Sequence, residues 1–265
     1  MSNYIFVVLL ACFPMLAEQL HIDHVTVAGR DLRAMQQALQ SVGLPAEYGG
    51  AHSNHATEMA LTSFPDGSYL ELIAIQPKAD PAAVSEHVWS KFLEGNAGPC
   101  AWATRVAHIA DEAKPLKNGR KRPDGVQLEW ETAQVGPGNG TFFPFLIHDF
   151  TPRDLRAYPS GKPTTTNFTG ITKVYIAVKN LDDAIAEYQR AYKLSAPERE
   201  DDPAFGAKLA WFKGTPVVLA AALGKSWLVE RLQRFGEAPC AFVLGRSKPA
   251  EKITWLDPGW RLGVQ

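Results

Sequence analysis

The sequence predicts an α+β fold made of repeated modules, each with one strand, one helix and then three strands. Residues 22–32 (IDHVTVAGRDL) align with residues 171–181 (ITKVYIAVKNL), which shows an internal duplication. Residues 86–105 align in the same way with residues 225–246. The alternation of apolar and polar residues in each copy is typical of strands, and a helical pattern follows the first strand. Mixed sheets with helices on one face belong to the α+β class.

The duplication divides the chain into two related halves. We place the first half at about residues 20–165 and the second, which is shorter and degenerate, at residues 168–265. The distance between the aligned pairs changes along the chain, as expected when loops of the two copies differ by a few residues.

The first module of the first half has clear boundaries. Asp31 is a good N-cap for the helix, Gly43 ends it, and Pro65-Asp66-Gly67 forms a turn between two alternating runs. The expected elements are strands at 22–28, 46–49, 57–63 and 68–76 and a helix at 31–41.

Similar patterns follow along the rest of the chain. A helix at 82–93 leads into a second module with strands at 101–106, 126–133 and 141–150 and a helix at 111–116. The second half repeats the order, with strands at 171–178, 207–212 and 216–222 and a helix at 181–192.

The composition is that of a globular protein. Lys and Arg total 27 against 28 Asp and Glu, and 46% of the residues are apolar. A net charge of −1 provides no broad positive field, so nucleic acid is not an expected partner. Three cysteines without CxxC spacing predict neither a disulfide framework nor structural zinc.

The N-terminal segment predicts export. Residues 4–16 are apolar apart from Pro14, and Ala17 precedes the polar pair Glu18-Gln19, so residues 1–17 resemble a signal peptide. The run is too short for a stable membrane span. We expect a periplasmic or secreted protein. The alternatives are a lipid on Cys12, which ends a lipobox-like segment, and a cytoplasmic protein whose first strand is buried.

Four motifs together resemble the glyoxalase-like domain of the vicinal oxygen chelate superfamily. They are the strand at 22–27, the strand at 67–74 (GSYLELIA), the segment 122–130 with RPDG and LEW, and residues 144–147 (PFLI). The resemblance covers about residues 21–160. It implies paired βαβββ modules that curl into an open, cup-shaped sheet around a divalent metal, with ligands from the first and last strands of two modules.

The resemblance assigns metal ligands residue by residue. His24 matches the first-strand ligand position and Glu71 the last-strand position of the first module. In the second module, the first-strand position falls on Trp102, which cannot bind a metal, and the last-strand position falls on His148. Lys173 and Val218 occupy the corresponding positions of the second half, so the first half is expected to hold the site.

The residues themselves favour the same chemistry. A carboxylate such as Glu71, in the middle of an apolar strand, is costly to bury without a compensating charge. If His24, Glu71 and His148 converge, they form a two-histidine, one-carboxylate set suited to Fe, Mn, Ni or Zn, with Glu71 and His148 also catalytic. The alternatives are a hydrogen-bonded core role for His24, and an inward-facing Asp149 in place of His148 if a bulge shifts the register.

Four further residues are candidates for substrate binding. Trp102 is expected to line the cup, and His52 and His55 lie in a loop that the family places near it. Arg122, in the basic run 120–122, is expected at the rim, where it would hold a substrate carboxylate. A structural role for Trp102 and surface roles for the other three are the alternatives.

The function expected from the resemblance is a metal-dependent enzyme of the lyase, isomerase or dioxygenase type. Its substrate would be a small oxygenated organic molecule. A metal-free protein that binds or sequesters a small ligand is the first alternative, and an extracytoplasmic scaffold is the second. Members of the superfamily build cups within one chain or by swapping between chains, so a homodimer remains open.

Overall fold

Two curved sheets form the protein in a computed structural model that describes residues 20–136 and 139–265. The first sheet has eight strands in the order β2-β3-β4-β1-β5-β8-β7-β6, and the second has seven in the order β10-β11-β12-β9-β13-β15-β14. In both sheets, strands from two modules meet at a central antiparallel pair, β1 with β5 and β9 with β13. This arrangement confirms the predicted α+β fold of repeated modules.

The first sheet contains the strands of residues 22–149. They are β1 (Ile22–Gly29), β2 (Glu47–Ala51), β3 (Thr57–Ser63), β4 (Tyr69–Ile75), β5 (Gly98–Arg105), β6 (Leu116–Lys121), β7 (Gln127–Gln134) and β8 (Phe145–Asp149). β1 pairs in parallel with β4, and β5 in parallel with β8, so each module closes on its own first strand.

The second sheet repeats this arrangement with a reduced last module. Its strands are β9 (Gly170–Val178), β10 (Glu198–Asp202), β11 (Ala207–Trp211), β12 (Val217–Ala222), β13 (Ala238–Gly245), β14 (Thr254–Leu256) and β15 (Arg261–Val264). In the described residues no helix follows β13, and the last module consists of the three strands β13, β14 and β15.

Within residues 20–136 and 139–265, six short to medium helices accompany the sheets. They are α1 (Leu32–Ser41), α2 (Pro81–Glu86), α3 (Ser90–Glu94), α4 (Arg153–Ala157), α5 (Leu181–Tyr192) and α6 (Trp227–Phe235). The Asp31 side chain caps α1 by accepting a hydrogen bond from the amide of Ala34 at 3.0 Å, as predicted. None of the helices in the described ranges is long and apolar enough to cross a membrane.

The sequence-based boundaries fail mainly in the second module. The helix expected at 82–93 is two helices, because His87–Trp89 interrupt it. Only a 3-10 turn, Asp111–Ala113, forms where a helix at 111–116 was expected, and the polar edge strand β6 was missed. Edge strands such as β6 and β10 are exposed and lack the apolar alternation on which the prediction depends.

One large apolar core joins the two halves. Helices α1 and α5 cover the convex faces of their sheets, and residues of both sheets meet in the same cluster. The concave faces differ. Tyr175, Phe205, Trp227 and Trp255 pack together within the second sheet's cup, whereas the first sheet's cup contains an open cavity.

The predicted signal peptide, residues 1–17, lies outside the described residues. The same is true of Cys12, the alternative lipid site. Both remain predictions. The two described cysteines, Cys100 and Cys240, are buried and free, and burial raises the pKa of each thiol.

Candidate functional site

The concave face of the first sheet encloses a cavity of about 440 Å³, within the range of small-ligand sites. Its walls differ in chemistry. Module one contributes histidines and a carboxylate, while β7, β8 and the segment before α3 contribute aromatic and aliphatic side chains. The residues used below are His24, His52, Glu71, His87, Trp89, Arg120, Trp130, Phe145 and Ile147.

Glu71 lies between two histidines in this cavity. The Nε2 atom of His24 is 3.7 Å from Glu71 Oε2, and the Nε2 atom of His52 is 3.7 Å from Glu71 Oε1. Thr26 donates its hydroxyl hydrogen to Oε2 at 3.3 Å. Each carboxylate oxygen therefore faces one imidazole nitrogen, and this places His52, rather than His148, with His24 and Glu71.

The opposite ring nitrogen of each histidine is anchored. His24 Nδ1 is 2.7 Å from Asp23 Oδ1, and His52 Nδ1 is 2.8 Å from the Thr57 hydroxyl. A histidine that binds a metal usually donates its second N–H to a carboxylate or another oxygen in this way. Asp23 is a carboxylate acceptor and holds the proton of a neutral His24 on Nδ1, whereas the Thr57 hydroxyl orients the His52 ring as either donor or acceptor. In both histidines Nε2 is the ring nitrogen that faces Glu71.

A bulge in β1 explains why two adjacent residues, Asp23 and His24, both serve the site. Ile22 pairs with Thr104 and His24 with Ala103, so Asp23 is the extra residue of the pair. Strict alternation predicts that Ile22 and His24 share a face. The bulge changes this, and Ile22 packs into the apolar core on the other side of the sheet.

The loop before β3 positions His52. The Asn54 side-chain oxygen accepts hydrogen bonds from the backbone amides of Ala56 and Thr57 at 2.9 and 3.2 Å. This turn directs the Thr57 hydroxyl to the His52 ring.

Asp23 belongs to a buried charge network. Arg156 donates to both carboxylate oxygens, at 3.0 and 2.9 Å, and Arg153 contacts the same carboxylate. Asp149 accepts from Arg156 as well, at 2.5 and 2.8 Å. Burial alone would raise the pKa of Asp23, but Arg156, His24 and Arg153 together hold it well below its usual range. The network fixes a charged anchor behind His24.

Glu71 is ionised under all ordinary conditions. Burial by itself raises its pKa, yet contact with His52 and the positive potential of His24 and Arg120 lower it to about 2. The carboxylate is therefore available as a ligand or as an ion-pair partner without a proton to displace.

The stability of the metal-free protein should fall with acidification through Glu71. Its pKa of about 2 lies below its ordinary value of 4.5, so the unfolded chain takes up the proton first. The stabilisation is complete above about pH 5 and is lost as the pH falls toward 2, with a maximum of about 3 kcal/mol. Urea unfolding between about pH 7 and pH 3 tests this. The Glu71→Gln variant should lose less unfolding free energy over that range, and an identical loss would contradict the expectation.

His87 was not a predicted site residue, although it lines the same cavity. Its Nδ1 accepts a hydrogen bond from the amide of Trp89 at 3.2 Å, so Nε2 carries the proton of the neutral ring. Burial and the neighbouring His52 lower the pKa of His87, while Glu71 opposes them. Its position, where α2 ends and the chain turns before α3, has no periodic sequence signal.

The structure does not bring His148 into the site. Its register partner on β7 is Glu131, and its ring contacts Phe150 and the carbonyl of Val106 on the other face of the sheet. Residues 145 and 147 face the cavity instead. The alternation was assigned one residue out of phase, and Asp149, the alternative inward group, is bound to Arg156.

Trp102 does not line the cup. It is fully buried in the core that joins the halves, opposite Val25, while the neighbouring Ala103 packs with the cavity residues Phe145 and Ile147. The large side chain therefore fills the convex side of β5, and the small one faces the ligand side.

Replacing Trp102 with Phe should lower stability modestly and leave the cavity intact. The indole Nε1 has no hydrogen-bond partner among the described residues, so Phe loses only packing volume. We expect a loss of about 1–2 kcal/mol in urea unfolding and unchanged metal content. A selective loss of metal or ligand binding would place Trp102 in the site after all.

The other two substrate-binding predictions also lie outside the cavity. His55 is exposed, in a left-handed turn with φ of 58°. Arg122 pairs with Asp124 at 2.6 Å and donates to the carbonyl of Leu155 at 2.8 Å, so it ties the β6–β7 turn to α4. In the same basic run, the residue that lines the cavity is Arg120.

The side chains of His24, His52 and Glu71 are suitable ligands for a divalent metal, but their spacing in this structure is slightly too wide for one. Within residues 20–136 and 139–265, no three His, Cys, Asp or Glu side chains are already spaced around a common ion. Ligand bonds of about 2.0–2.2 Å would require the 3.7 Å separations to shorten slightly. The two anchored imidazoles and one ionised carboxylate are the ligand types that first-row divalent metals prefer.

Comparison with known proteins places these features in context. A family model described as a glyoxalase-like domain matches residues 22–192. A hypothetical protein from Staphylococcus aureus has a similar structure, with a TM-score of 0.66 and 12% identity over 92% of this chain and 98% of that chain. No curated protein matches the sequence.

Two further solved structures are similar, one over a minor part of its own chain and the other over a minor part of this chain. A fusion of a xylose isomerase-like TIM barrel with 4-hydroxyphenylpyruvate dioxygenase has a TM-score of 0.50 and 12% identity over 89% of this chain and 37% of that chain. Methylmalonyl-CoA epimerase from Mycobacterium tuberculosis has a TM-score of 0.33 and 20% identity over 38% of this chain and 89% of that chain. At these identities the S. aureus protein and the fusion protein show the fold alone.

Proposed function

The chain belongs to the glyoxalase-like domain family, and from this membership we propose that it is a divalent-metal-dependent enzyme acting on a small oxygenated organic molecule. The site is the cavity of the first half. His24, His52 and Glu71 are the proposed ligands, with His52 replacing the His148 that the sequence suggested.

One observation carries the proposal, namely two histidines that present Nε2 to the two oxygens of one carboxylate while their Nδ1 atoms are anchored. A histidine with a merely structural role has no need of this double constraint. The second half supports the assignment. Its register places Tyr175 and Val218 where the first half has Thr26 and Glu71, so the acid is replaced there by an apolar side chain.

A metal bound here would act as a Lewis acid on substrate oxygens. The chain's own groups account for the remaining requirements. Asp23 and Thr57 hold the two imidazoles in the orientation that turns Nε2 of each toward the site. Trp89, Trp130 and Phe145 exclude water from one wall. His87 lines the cavity with its ring proton on Nε2, so it can donate a hydrogen bond to a substrate oxygen.

The fold alone does not select the reaction, because one fold serves many chemistries. The Nε2–H donor of His87 in the cavity favours a reaction that builds negative charge on a substrate oxygen, as proton abstraction beside a carbonyl does in a lyase or isomerase. We therefore place the isomerase or lyase type before the dioxygenase type.

Metal content of matched histidine variants tests the proposal. After loading with Mn, Fe, Ni or Zn and desalting, the wild-type protein should retain about one ion per chain. His52→Ala should weaken binding by at least ~10-fold, the minimum that loss of even a supporting partner usually costs. His148→Ala is the control, since it removes the same side chain from the opposite face, and should retain the metal. Equal retention by wild type and His52→Ala would contradict the proposed ligand set.

A metal-free ligand-binding protein is the second candidate. The observation in its favour is that the two histidines already lie close enough to neutralise Glu71 in their protonated forms. Failure of the wild-type protein to retain any of the four metals would support this candidate instead of the enzyme.

Export and self-association are part of the proposal as well. Export rests on the apolar run 4–16 and the small residue Ala17. Export would be supported if the protein purified from the producing cell has the mass of a chain that begins at Glu18. A homodimer, which the superfamily leaves open, can be tested by sedimentation.

A further inference from the structure

We propose that Arg120 is a substrate-binding residue and that the substrate is a small carboxylate with an apolar body. This inference rests on the proposed function, because it concerns the same cavity, but it depends on the anion rather than on the metal. It replaces the sequence-based assignment of that role to Arg122.

Arg120 lies where the two edges of the first sheet approach each other. It is on β6, one edge strand, and its Nη1 donates to the carbonyl of Gly49 on β2, the other edge strand, at 2.8 Å. The side chain is half-buried and lines the cavity that also contains Glu71 and the histidines. The guanidinium is thus placed at the seam of the cup.

This guanidinium has no counter-ion within the described residues. The neighbouring arginines all have one, since Arg122 pairs with Asp124, Arg153 with Asp23, and Arg156 with Asp23 and Asp149. Burial lowers the pKa of Arg120, and the more distant Tyr69 and Glu71 only partly oppose it. A half-buried cation without a paired carboxylate is costly unless another group supplies the negative charge.

A substrate carboxylate would supply that charge. Nη1 is engaged with Gly49, and the planar guanidinium has further N–H donors that match the two oxygens of a carboxylate. Because a single arginine is free here, a carboxylate with one charge fits better than a phosphate, which calls for several donors.

The rest of the substrate is indicated by the wall beside Arg120. Trp89 and Trp130 pack against a small cluster formed by Ala103, Phe145 and Ile147. This surface favours a flat or branched apolar group, and the cavity of about 440 Å³ has room for one of aromatic size. The other end of the molecule would then reach the His24, His52 and Glu71 set.

The matched pair 3-phenylpropanoate and 3-phenylpropanamide tests the charge requirement, because the two molecules differ mainly in the carboxylate. Calorimetric titration of metal-free wild type should show at least ~10-fold tighter binding of the acid, the equivalent of about 1.4 kcal/mol. Arg120→Gln should reduce this preference to about twofold or less. Arg120→Lys should retain part of it, because the charge remains while the fork is lost.

Lys121→Gln is the matched control. Lys121 is the next residue on β6 and is exposed, so this variant removes one positive charge of the same strand without touching the cavity. It should bind like wild type. Thermal unfolding of each variant excludes loss of the fold as the cause.

Two results would overturn the inference: no preference for the acid in the wild type at concentrations up to about 10 mM, or an undiminished preference in Arg120→Gln. The metal-free measurement separates this outcome from that of the proposed function. A carboxylate preference that depends on Arg120, in a protein that binds no metal, would support the anion site and refute the metal-dependent enzyme.

Discussion

Replacement of Glu71 by Gln is expected to abolish metal binding and all metal-dependent activity while the protein stays folded. Glu71 is the only group of the proposed ligand set that contacts both histidines, and its low pKa makes it a permanent anion. An amide keeps the shape but loses the charge that a divalent ion requires. We expect the affinity for the metal to fall by more than the ~100-fold typical for loss of a ligand's supporting partner.

Equilibrium dialysis with metal analysis measures this loss, and urea unfolding reports the fold. Glu58→Gln is the control, because Glu58 lies on the adjacent strand β3 and contacts the exposed Tyr48 at 3.2 Å instead of the cavity. Glu71→Gln should remain folded with a loss of stability no greater than about 3 kcal/mol. Full metal retention in Glu71→Gln would refute the site, and equal loss in Glu58→Gln would point to a general effect of charge.

The duplicated strand and helix patterns allowed the fold to be predicted from sequence. The first strand, the capped helix α1 and the hairpin at Pro65–Gly67 depend on local chemistry, and each lies within one or two residues of its predicted position. The edge strands β6 and β10 were missed because exposure leaves no apolar pattern to recognise. These two segments are strands because they pair with β7 and β11, and not because of a periodic pattern.

The candidate site could be predicted only where the register was simple. Thr26 pairs directly with Glu71 across the parallel strands β1 and β4, and His24 lies two residues before Thr26 on the same face of β1. Alternation along the two strands therefore predicts that His24 and Glu71 share one cavity. The prediction that His148 faces the cavity was wrong because a shift of one residue turns every side chain of a strand to the other face. The prediction that Trp102 lines the cup was wrong for the same reason. The register of a strand is set by partners that lie far away in sequence.

The places of His52 and Arg120 in the cavity could not be predicted from the sequence for a different reason. Both were noted as loop or rim residues, yet the curvature of the sheet decides whether such residues reach the cavity. The curvature brings β2 beside β6, as the bond between Arg120 and the carbonyl of Gly49 shows. No periodic pattern in the sequence encodes that approach of two edges.

Asp23→Ala is expected to cause the largest loss of stability of any single change in the site. The aspartate is completely buried and neutralises Arg153 and Arg156, which lie above it on α4. Without it, two guanidinium groups share the single carboxylate of Asp149. Removal of one partner from a buried ion pair typically costs 3–5 kcal/mol, a loss of about this size that urea unfolding at neutral pH measures directly.

The same variant should also weaken metal binding by roughly 10–100-fold, because the His24 ring loses the acceptor that holds its Nδ1 proton. Asp23→Asn separates the two effects. An amide oxygen can still accept from His24, so metal binding should suffer less than stability does. A compensating change offers a stricter test: in Asp23→Ala combined with Arg156→Leu, stability should partly recover because the unpaired buried charge is gone, whereas metal affinity should not. Recovery of both, or of neither, would mean that Asp23 does not link the charge network to the histidine as the geometry indicates.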